Sequence, residues 1–347
     1  MVDRASPRRR PVVSPMPDAT ALARLARMPE RRPALGRRLL LAGAAGLAAR
    51  PAAAAGPVFL GLSQAALDDA YTQTIWAPDA PAIIAGYARD SAAARVTLPP
   101  RTERYGPGPA ETLDLFVPAG AMSAPVMVFL HGGAWRALGK DDASAPAPAF
   151  VGAGCIWVAL GFDNIPAATL PDMADQVRRA VLWLAANIAR FGGDPRRLFA
   201  AGHSSGAHLC AVLLTTDWLA LGQPADLLKG GVCLSGTYEL FPVLLSARGG
   251  YVRLTAAEAD ALSPLRHMGR IACPVLVGAG GRESPEFTRQ ASTFAAVLAG
   301  MGRLHAQVVM PELNHFEVPN QLNRADTPLS QAVLGMMLAG RTSQGGG

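Results

Sequence analysis

The sequence lacks several features that define whole classes of protein. No apolar stretch reaches the ~18 residues that a membrane-spanning helix needs. Only 17% of the 347 residues are charged and half are hydrophobic, which excludes a disordered chain because such chains bury too little apolar surface. The four cysteines lie far apart without a Cys-x-x-Cys pair, so we expect neither a metal site nor a disulfide framework.

An excess of basic charge is confined to the N-terminal part of the chain. Residues 1–55 contain 11 Lys and Arg against 3 Asp and Glu, whereas the remainder contains 21 basic and 23 acidic residues, a net charge of −2. The overall charge of +6 therefore belongs to the N-terminal segment. A slightly acidic main body gives no support to a nucleic-acid partner.

Residues 1–55 have the pattern of an export leader. Arg37 and Arg38 precede an apolar stretch at 39–49, and the alanines at 52–55 offer a small-residue cleavage site after Ala55. The arrangement resembles a twin-arginine signal and predicts a periplasmic or secreted protein. An ordinary Sec signal or a buried helix are the alternatives. Because Met28 would begin a leader of ordinary length, we expect it to be the true start and residues 1–27 an upstream extension.

The rest of the chain, residues 56–347, alternates apolar β-type runs with helical patterns, which predicts one domain with a mostly parallel sheet and helices on both faces. Two segments, 64–95 and 236–270, are expected as cap segments, the first helical and the second a cap-like excursion without strands. Strands are predicted at 112–117, 126–130, 155–160, 198–201, 231–234, 274–277 and 306–310, all but the first covered on both faces. Helices are predicted at 170–191, 207–216, 285–301 and 328–338.

A Gly-x-Ser-x-Gly motif at residues 202–206 stands between a predicted strand and a predicted helix. This context is typical of a nucleophile elbow, in which a tight turn lifts one hydroxyl above the sheet. The two glycines relieve crowding in the turn, and the helix N-terminus favours negative charge on the nucleophile. The motif predicts Ser204 as the nucleophile, and the alternative is a simple helix N-cap.

The sequence His-Gly-Gly-Ala-Trp at residues 131–135 follows the strand predicted at 126–130. Glycines here allow backbone N–H groups to face a developing oxyanion. We predict an oxyanion hole made by the N–H groups of Gly133, Ala134 and Ser205, with Trp135 as a wall of the substrate pocket. A plain Gly-Gly turn beside a core tryptophan is the alternative.

A general base and an acid are expected on the loops after the last two predicted strands. His315 follows the final strand and is the predicted base, because that loop lies above the sheet near the elbow. Glu283 lies in the preceding loop and is the predicted acid, with Asp260 as the second choice. Glu286 is expected in the first turn of a helix as a partner of its dipole. The order Ser204, Glu283, His315 is that of the α/β-hydrolases.

Together these motifs resemble the kynurenine formamidase branch of the α/β-hydrolases, close to the hormone-sensitive-lipase-like esterases, over residues 67–338. The resemblance implies an α/β-hydrolase fold with Ser204 as nucleophile, His315 as base and Glu283 as acid. It implies a serine hydrolase that cleaves small carboxylic esters or aryl amides and formamides through an acyl-enzyme. Many members carry Asp where Glu283 stands, and Ala134 replaces the third glycine of the lipase-like motif.

Other expectations concern the ligands. The expected partner is a small ester or amide substrate. The chemistry requires no metal and no organic cofactor, and we expect no nucleic-acid partner and no stable membrane anchor. Trp135 and Phe316 are the predicted substrate-binding side chains, with Phe162 and Tyr238 as further candidates, although core packing is an equal alternative for each. A non-catalytic binding protein of the same fold is the alternative function.

Overall fold

The computed structural model describes residues 56–339, and the predicted leader with its start at Met28 lies outside the described residues. The described residues form one eight-stranded sheet in the order β1-β2-β4-β3-β5-β6-β7-β8. The strands are β1 (Arg101–Arg104), β2 (Thr112–Phe116), β3 (Ala124–Leu130), β4 (Ile156–Leu160), β5 (Gly193–His203), β6 (Leu228–Leu234), β7 (Val275–Gly280) and β8 (Leu304–Met310). The pairs β1–β2 and β2–β4 are antiparallel and the others parallel, so the sheet is mostly parallel, as predicted.

The sheet is apolar on both faces because its central strands are buried between two helical layers. In β3 every residue is buried, with Val126 and Val128 in one core cluster and Met127 and Phe129 in the other. Alternate residues of a strand point to opposite faces, so an unbroken apolar run fills both cores. This packing places the carboxyl ends of the parallel strands, where the candidate loops begin, at one edge of the sheet.

Helices cover both faces of this sheet. Residues of α4, α5 and α8 pack in one core cluster, and those of α3 and α9 in the other. In α4 a capping box between Thr169 and Asp172 fixes the start, and Gly192, with φ of 81°, ends the short 3₁₀ turn that follows. The helices are α1 (Gln64–Tyr71), α2 (Ala80–Thr97), α3 (Ala147–Gly152), α4 (Leu170–Asn187), α5 (Ser205–Leu214), α6 (Phe241–Leu245), α7 (Ala256–Ala261), α8 (Pro285–Gly300) and α9 (Pro328–Leu338).

Two edge strands differ most from the sequence predictions, while the central strands β5 and β6 are present but begin earlier than predicted, at Gly193 and Leu228. β1 was not predicted, because its sequence Arg-Thr-Glu-Arg has no apolar residue and its side chains lie largely in solvent. The prediction that the last strand is covered on both faces is wrong. His305, Gln307 and Val309 of β8 are exposed, so the solvent reaches one of its faces. Edge strands have weak apolar signals for this reason.

The segments 64–95 and 236–270 contain helices and no strand, in agreement with the sequence pattern. The first carries α1 and most of α2, and the second carries α6 and α7 with short 3₁₀ turns. Within residues 56–339, no helix has both the length and the apolar character that crossing a bilayer requires.

Candidate active site

Ser204 lies at the sharp turn between β5 and α5. Its backbone has φ of 56° and ψ of −121°, a strained conformation for a residue with a side chain. A Cβ atom at Gly202 would stand 2.2 Å from the carbonyl oxygen of Gly206, and one at Gly206 would stand 2.1 Å from that of Leu130. The two glycines of the motif are therefore required by close backbone packing around the turn.

The hydroxyl of Ser204 is directed at a histidine rather than at its own helix. The serine makes no capping hydrogen bond to α5, which disfavours the N-cap alternative. Its Oγ lies 2.9 Å from Nε2 of His315, and both residues are almost completely buried. Because α5 begins at Ser205, two residues earlier than predicted, the positive end of its dipole lies directly beside this oxygen.

Glu283 completes a line of hydrogen bonds with these two residues. Its Oε2 lies 3.2 Å from Nδ1 of His315, while its Oε1 accepts hydrogen bonds of 2.6 Å from the Ser235 hydroxyl and from the Gly280 N–H. A carboxylate only accepts, so Nδ1 carries a proton and Nε2 presents its lone pair to the hydroxyl of Ser204. The structure thus brings together all three residues that the sequence proposed as nucleophile, base and acid.

The loop that carries His315 is held by two further contacts. Nε2 of His203 lies 2.9 Å from the carbonyl oxygen of His315, and the hydroxyl of Tyr87 donates to the carbonyl oxygen of Phe316. Burial and the neighbouring His315 hold the pKa of His203 well below its ordinary value, so its ring stays neutral and donates from Nε2. The sequence placed His203 only within the elbow and gave no signal for its contact with the base.

The oxyanion loop consists of consecutive residues in left-handed backbone conformations. Gly133, Ala134 and Trp135 have φ of 107°, 53° and 60°, and a Cβ atom at Gly133 would lie 2.0 Å from the carbonyl oxygen of Ala137. Such strain is typical of functional loops. Gly132 packs against the elbow, since a Cβ there would lie 3.0 Å from the carbonyl oxygen of His203.

The N–H groups of the predicted oxyanion donors make no hydrogen bond within the part of the chain that the structure describes. No hydrogen bond of residues 56–339 has the N–H of Gly133, Ala134 or Ser205 as its donor. Gly133 and Ala134 line the cavity together with Ser204, whereas Ser205 is buried and offers its backbone from the first position of α5. The arrangement can donate hydrogen bonds to an oxyanion that forms on a substrate at Ser204.

The two other acidic candidates are separate from this line. Asp260 is exposed and forms an ion pair with Arg266, and Glu286 is buried, where it forms a two-pronged ion pair with Arg289 and accepts from the hydroxyl of Tyr71. Glu286 lies in the first turn of α8, as predicted, and is also a partner in a buried network that the sequence did not indicate. Neither carboxylate contacts His315.

The prediction that Trp135 forms a pocket wall is wrong. Its side chain is only 1% exposed and packs in the core, with its ring 5.4 Å from that of His208. Trp135 does not line the cavity itself, and its ring lies 5.9 Å from the guanidinium of Arg248, which does. Phe162 and Tyr238 are also core residues, stacked on His131 and Phe294 respectively.

A cavity of about 460 Å³ opens onto Ser204 and His315. This size is typical of sites for small organic ligands. Of the predicted aromatic residues, Phe316 lines it, and both predicted cap segments contribute to its wall. The first segment supplies Tyr71, Thr72, Gln73, Thr74, Ile84 and Tyr87, and the second supplies Ala247, Arg248 and Tyr251. The sequence missed these side chains because they carry no motif and reach the site through packing.

Comparison with known proteins agrees with this geometry. A family model described as BD-FAE matches residues 113–220. The kynurenine formamidase of Salmo salar is 32% identical over 240 residues, which cover 67% of this chain and 80% of the relative. The kynurenine formamidase of Danio rerio is 30% identical over 239 residues, with the same coverage of 67% and 80%.

Solved structures agree with the fold. A protein described as a thioesterase from Silicibacter has 26% identity and a TM-score of 0.67, covering 77% of this chain and 98% of that one. An esterase of Pyrobaculum calidifontis has 19% identity and a TM-score of 0.58, covering 77% and 97%. The second likeness concerns the fold alone. The predicted α/β-hydrolase fold is confirmed, and the comparisons give no support to a non-catalytic protein.

Proposed function

The chain belongs to the kynurenine formamidase family of α/β-hydrolase serine hydrolases, which cleave ester or formamide bonds, and from this premise we propose that it acts on small aryl formamides and aryl esters through an acyl-enzyme on Ser204. The observation that carries the proposal is the continuous hydrogen-bonded line from Ser204 through His315 to Glu283. Ser204 and His315 of this line border a cavity of ligand size.

In the first step the hydroxyl of Ser204 attacks the carbonyl carbon while Nε2 of His315 takes its proton. Glu283 keeps the imidazole in the required tautomer and offsets the charge of the imidazolium. The carbonyl oxygen becomes an oxyanion, which accepts hydrogen bonds from the N–H groups of Gly133, Ala134 and Ser205. Loss of one such donor typically costs about 3 kcal/mol of transition-state stabilisation.

The tetrahedral intermediate collapses when the bond to the leaving group breaks. His315 gives its proton to the departing alcohol, phenol or amine, and the acyl group remains on Ser204. A water molecule then attacks this ester and loses its proton to His315, which releases the carboxylic acid and restores the serine hydroxyl. For an aryl formamide the products are formate and an aryl amine.

The aromatic lining supports a preference for aryl substrates. Tyr71, Tyr87, Tyr251 and Phe316 all contribute to the cavity wall, and aromatic rings pack well against a planar ring. The names of two relatives, both kynurenine formamidases, point to the formamide of a kynurenine as one candidate substrate. An aryl ester is the second candidate because relatives named as esterases also match part of the chain, one over 148 and another over 116 residues.

The direct test is a comparison of kcat/KM on N-formylkynurenine, phenyl acetate and a small alkyl ester under the same conditions. We expect both aryl substrates to be cleaved faster than the alkyl ester, and Ser204→Ala to abolish all three activities. A preference for the alkyl ester, or substantial turnover by the Ser204→Ala variant, would contradict the proposal.

We also propose that the chain is exported, with the leader removed after Ala55 and the mature enzyme periplasmic or secreted. The support is the sequence pattern of Arg37 and Arg38, an apolar stretch and an alanine-rich cleavage site. N-terminal sequencing of protein recovered from the periplasm should then begin at Gly56. A protein that remains in the cytoplasm with its N-terminus at residue 1 or Met28 would contradict export.

A further inference from the structure

Arg248 is a cation in the cavity wall without a carboxylate partner. Its Nη2 donates to the carbonyl oxygen of Tyr71 at 2.6 Å, and no acceptor within residues 56–339 takes a hydrogen bond from its Nε or Nη1. The guanidinium lies over the rings of Tyr71 and Phe287, at 5.5 and 5.8 Å from their centroids. Aromatic faces stabilise the charge but leave hydrogen-bond donors for a ligand.

A second arginine of the cavity, Arg136, is solvent-exposed and also has no carboxylate partner among the described residues. The guanidinium of Arg136 lies over the ring of Tyr251 at 4.4 Å, and its side chain forms no ion pair or hydrogen bond with the described residues. Arg136 follows the oxyanion loop, whereas Arg248 belongs to the segment 236–270. The two cations thus approach the cavity from different parts of the chain and stand near the same tyrosine.

No carboxylate in the described part of the cavity wall balances these charges. The lining residues include no Asp or Glu. Nearby acids already have partners: Glu283 binds His315, Glu286 binds Arg289, and Asp68 accepts from the Ala247 N–H and the Gln64 amide. Burial lowers the pKa of Arg248 while Tyr251 and Tyr71 raise it, and an arginine in such surroundings stays charged.

Arg248 is connected to the reacting residues through a shared aromatic neighbour. Phe287, which contacts the guanidinium of Arg248, also packs its ring against the imidazole of His315 with 5.1 Å between centroids. Arg248 and the base His315 therefore lie near the same aromatic ring. A substrate whose scissile bond lies at Ser204 can extend an anionic group to this arginine within the same cavity.

We propose that Arg248, assisted by Arg136 and the Tyr251 hydroxyl, forms a carboxylate-binding subsite, so that the preferred substrates carry a carboxylate besides the bond that is cleaved. This inference rests on the proposed function. A planar guanidinium binds a carboxylate with paired, charge-assisted hydrogen bonds, which gives both affinity and orientation. Neutral esters of the same size lack this contact and leave both cations without a counter-charge.

The test compares matched substrates that differ in one charge. The first pair is 4-acetoxybenzoate and 4-acetoxybenzamide, with the group on the leaving side. The second pair is mono-4-nitrophenyl succinate and 4-nitrophenyl butyrate, with the group on the acyl side. Rates are divided by those of alkaline hydrolysis to remove intrinsic reactivity. In at least one pair we expect kcat/KM to favour the anion by about 10- to 100-fold.

Variants of the two arginines test whether this subsite causes the preference for the anionic substrates. Arg248→Gln should remove the preference by lowering kcat/KM of the anion alone, Arg248→Lys should keep part of it, and Arg136→Gln should weaken it. Arg253→Gln is the matched control, because this arginine of the same segment is exposed and does not line the cavity. Its preference should equal that of the unmodified enzyme. Circular dichroism checks that each variant is folded.

Equal rates for both members of both pairs would overturn the subsite, as would an Arg248→Gln variant that slows neutral and anionic members alike. If Arg248→Gln does not fold because its contacts with Tyr71 and Phe287 are lost, the unmodified enzyme and Arg136→Gln still decide the question. Calorimetry on Ser204→Ala gives a readout without turnover. We expect this variant to bind 4-acetoxybenzoate more tightly than 4-acetoxybenzamide. Failure of the unmodified enzyme to hydrolyse any of the four substrates would instead contradict the proposed function itself.

Discussion

Replacement of Glu283 by glutamine tests how the carboxylate controls the base. In the structure Oε1 accepts from the Gly280 N–H and the Ser235 hydroxyl, and Oε2 faces Nδ1 of His315. A glutamine that keeps its oxygen on the first two donors turns its NH₂ toward Nδ1. His315 must then carry its proton on Nε2, where it can no longer accept the proton of Ser204.

In the opposite orientation the amide oxygen faces Nδ1, and His315 keeps the tautomer that can accept the proton of Ser204. This orientation costs hydrogen bonds on the other side of the amide. Its NH₂ would face the N–H of Gly280, and leaving such a buried donor unsatisfied costs about 1–3 kcal/mol. Loss of the negative charge beside the imidazolium removes a charge-assisted hydrogen bond worth about 1.5–3 kcal/mol. Together these effects amount to about 2.5–6 kcal/mol, and at about 1.4 kcal/mol per decade they slow the enzyme about 10²- to 10⁴-fold.

Steady-state kcat/KM on phenyl acetate, with circular dichroism as the check of folding, measures this effect. Asp260→Asn is the control, because Asp260 is exposed, pairs with Arg266 and should leave the rate unchanged. A Glu283→Gln variant with more than a tenth of the original rate would show that the carboxylate does not control the base in this way. An Asp260→Asn variant that loses most of its activity would show that Asp260, rather than Glu283, is the acid.

Three further predictions concern the surroundings of the site. Ser235→Ala removes one of the two donors to Glu283, and we expect a loss of about tenfold in kcat/KM with little change in KM; an unchanged rate would contradict this. Gly206→Ala places a Cβ 2.1 Å from the carbonyl oxygen of Leu130 and should lower both the urea midpoint and the activity, whereas Gly152→Ala, with open space around it, should lower neither. Burial lowers the pKa of His131 and of His208 to about 4, below the unfolded value of about 6.5, so the unfolded chain binds more protons between these pH values. Stability should therefore be full above about pH 6.5 and fall by about 2 kcal/mol per histidine between pH 7 and 5, and a urea midpoint that does not change over this range would contradict the buried, neutral state.

The central sheet and the line of three side chains could be predicted because each has a local sequence signal. Apolar runs identify buried strands, and residues 202–206 stand where a strand meets a helix. His315 and Glu283 follow from their position after strands β8 and β7, since parallel strands end at the same edge of the sheet. Their separation in the chain does not matter once that edge is known.

The cavity wall could not be predicted, because its residues come from segments without periodic patterns. Arg248 and Tyr71 meet across 177 residues through a side chain and a carbonyl oxygen, a contact that only tertiary packing creates. Trp135 was misplaced for a related reason: the left-handed turn that directs its indole into the core is a backbone feature that the sequence does not display. The polar strand β1 was missed because it depends on pairing with β2 rather than on burial.

The most direct test of the central claim is mass spectrometry of the enzyme after reaction with a fluorophosphonate. We expect a single covalent adduct on Ser204, because Nε2 of His315 faces this hydroxyl at 2.9 Å. The adduct should be absent from Ser204→Ala and form much more slowly in His315→Ala. An adduct on Ser205 or Ser235, or an active enzyme that takes no label, would contradict the account.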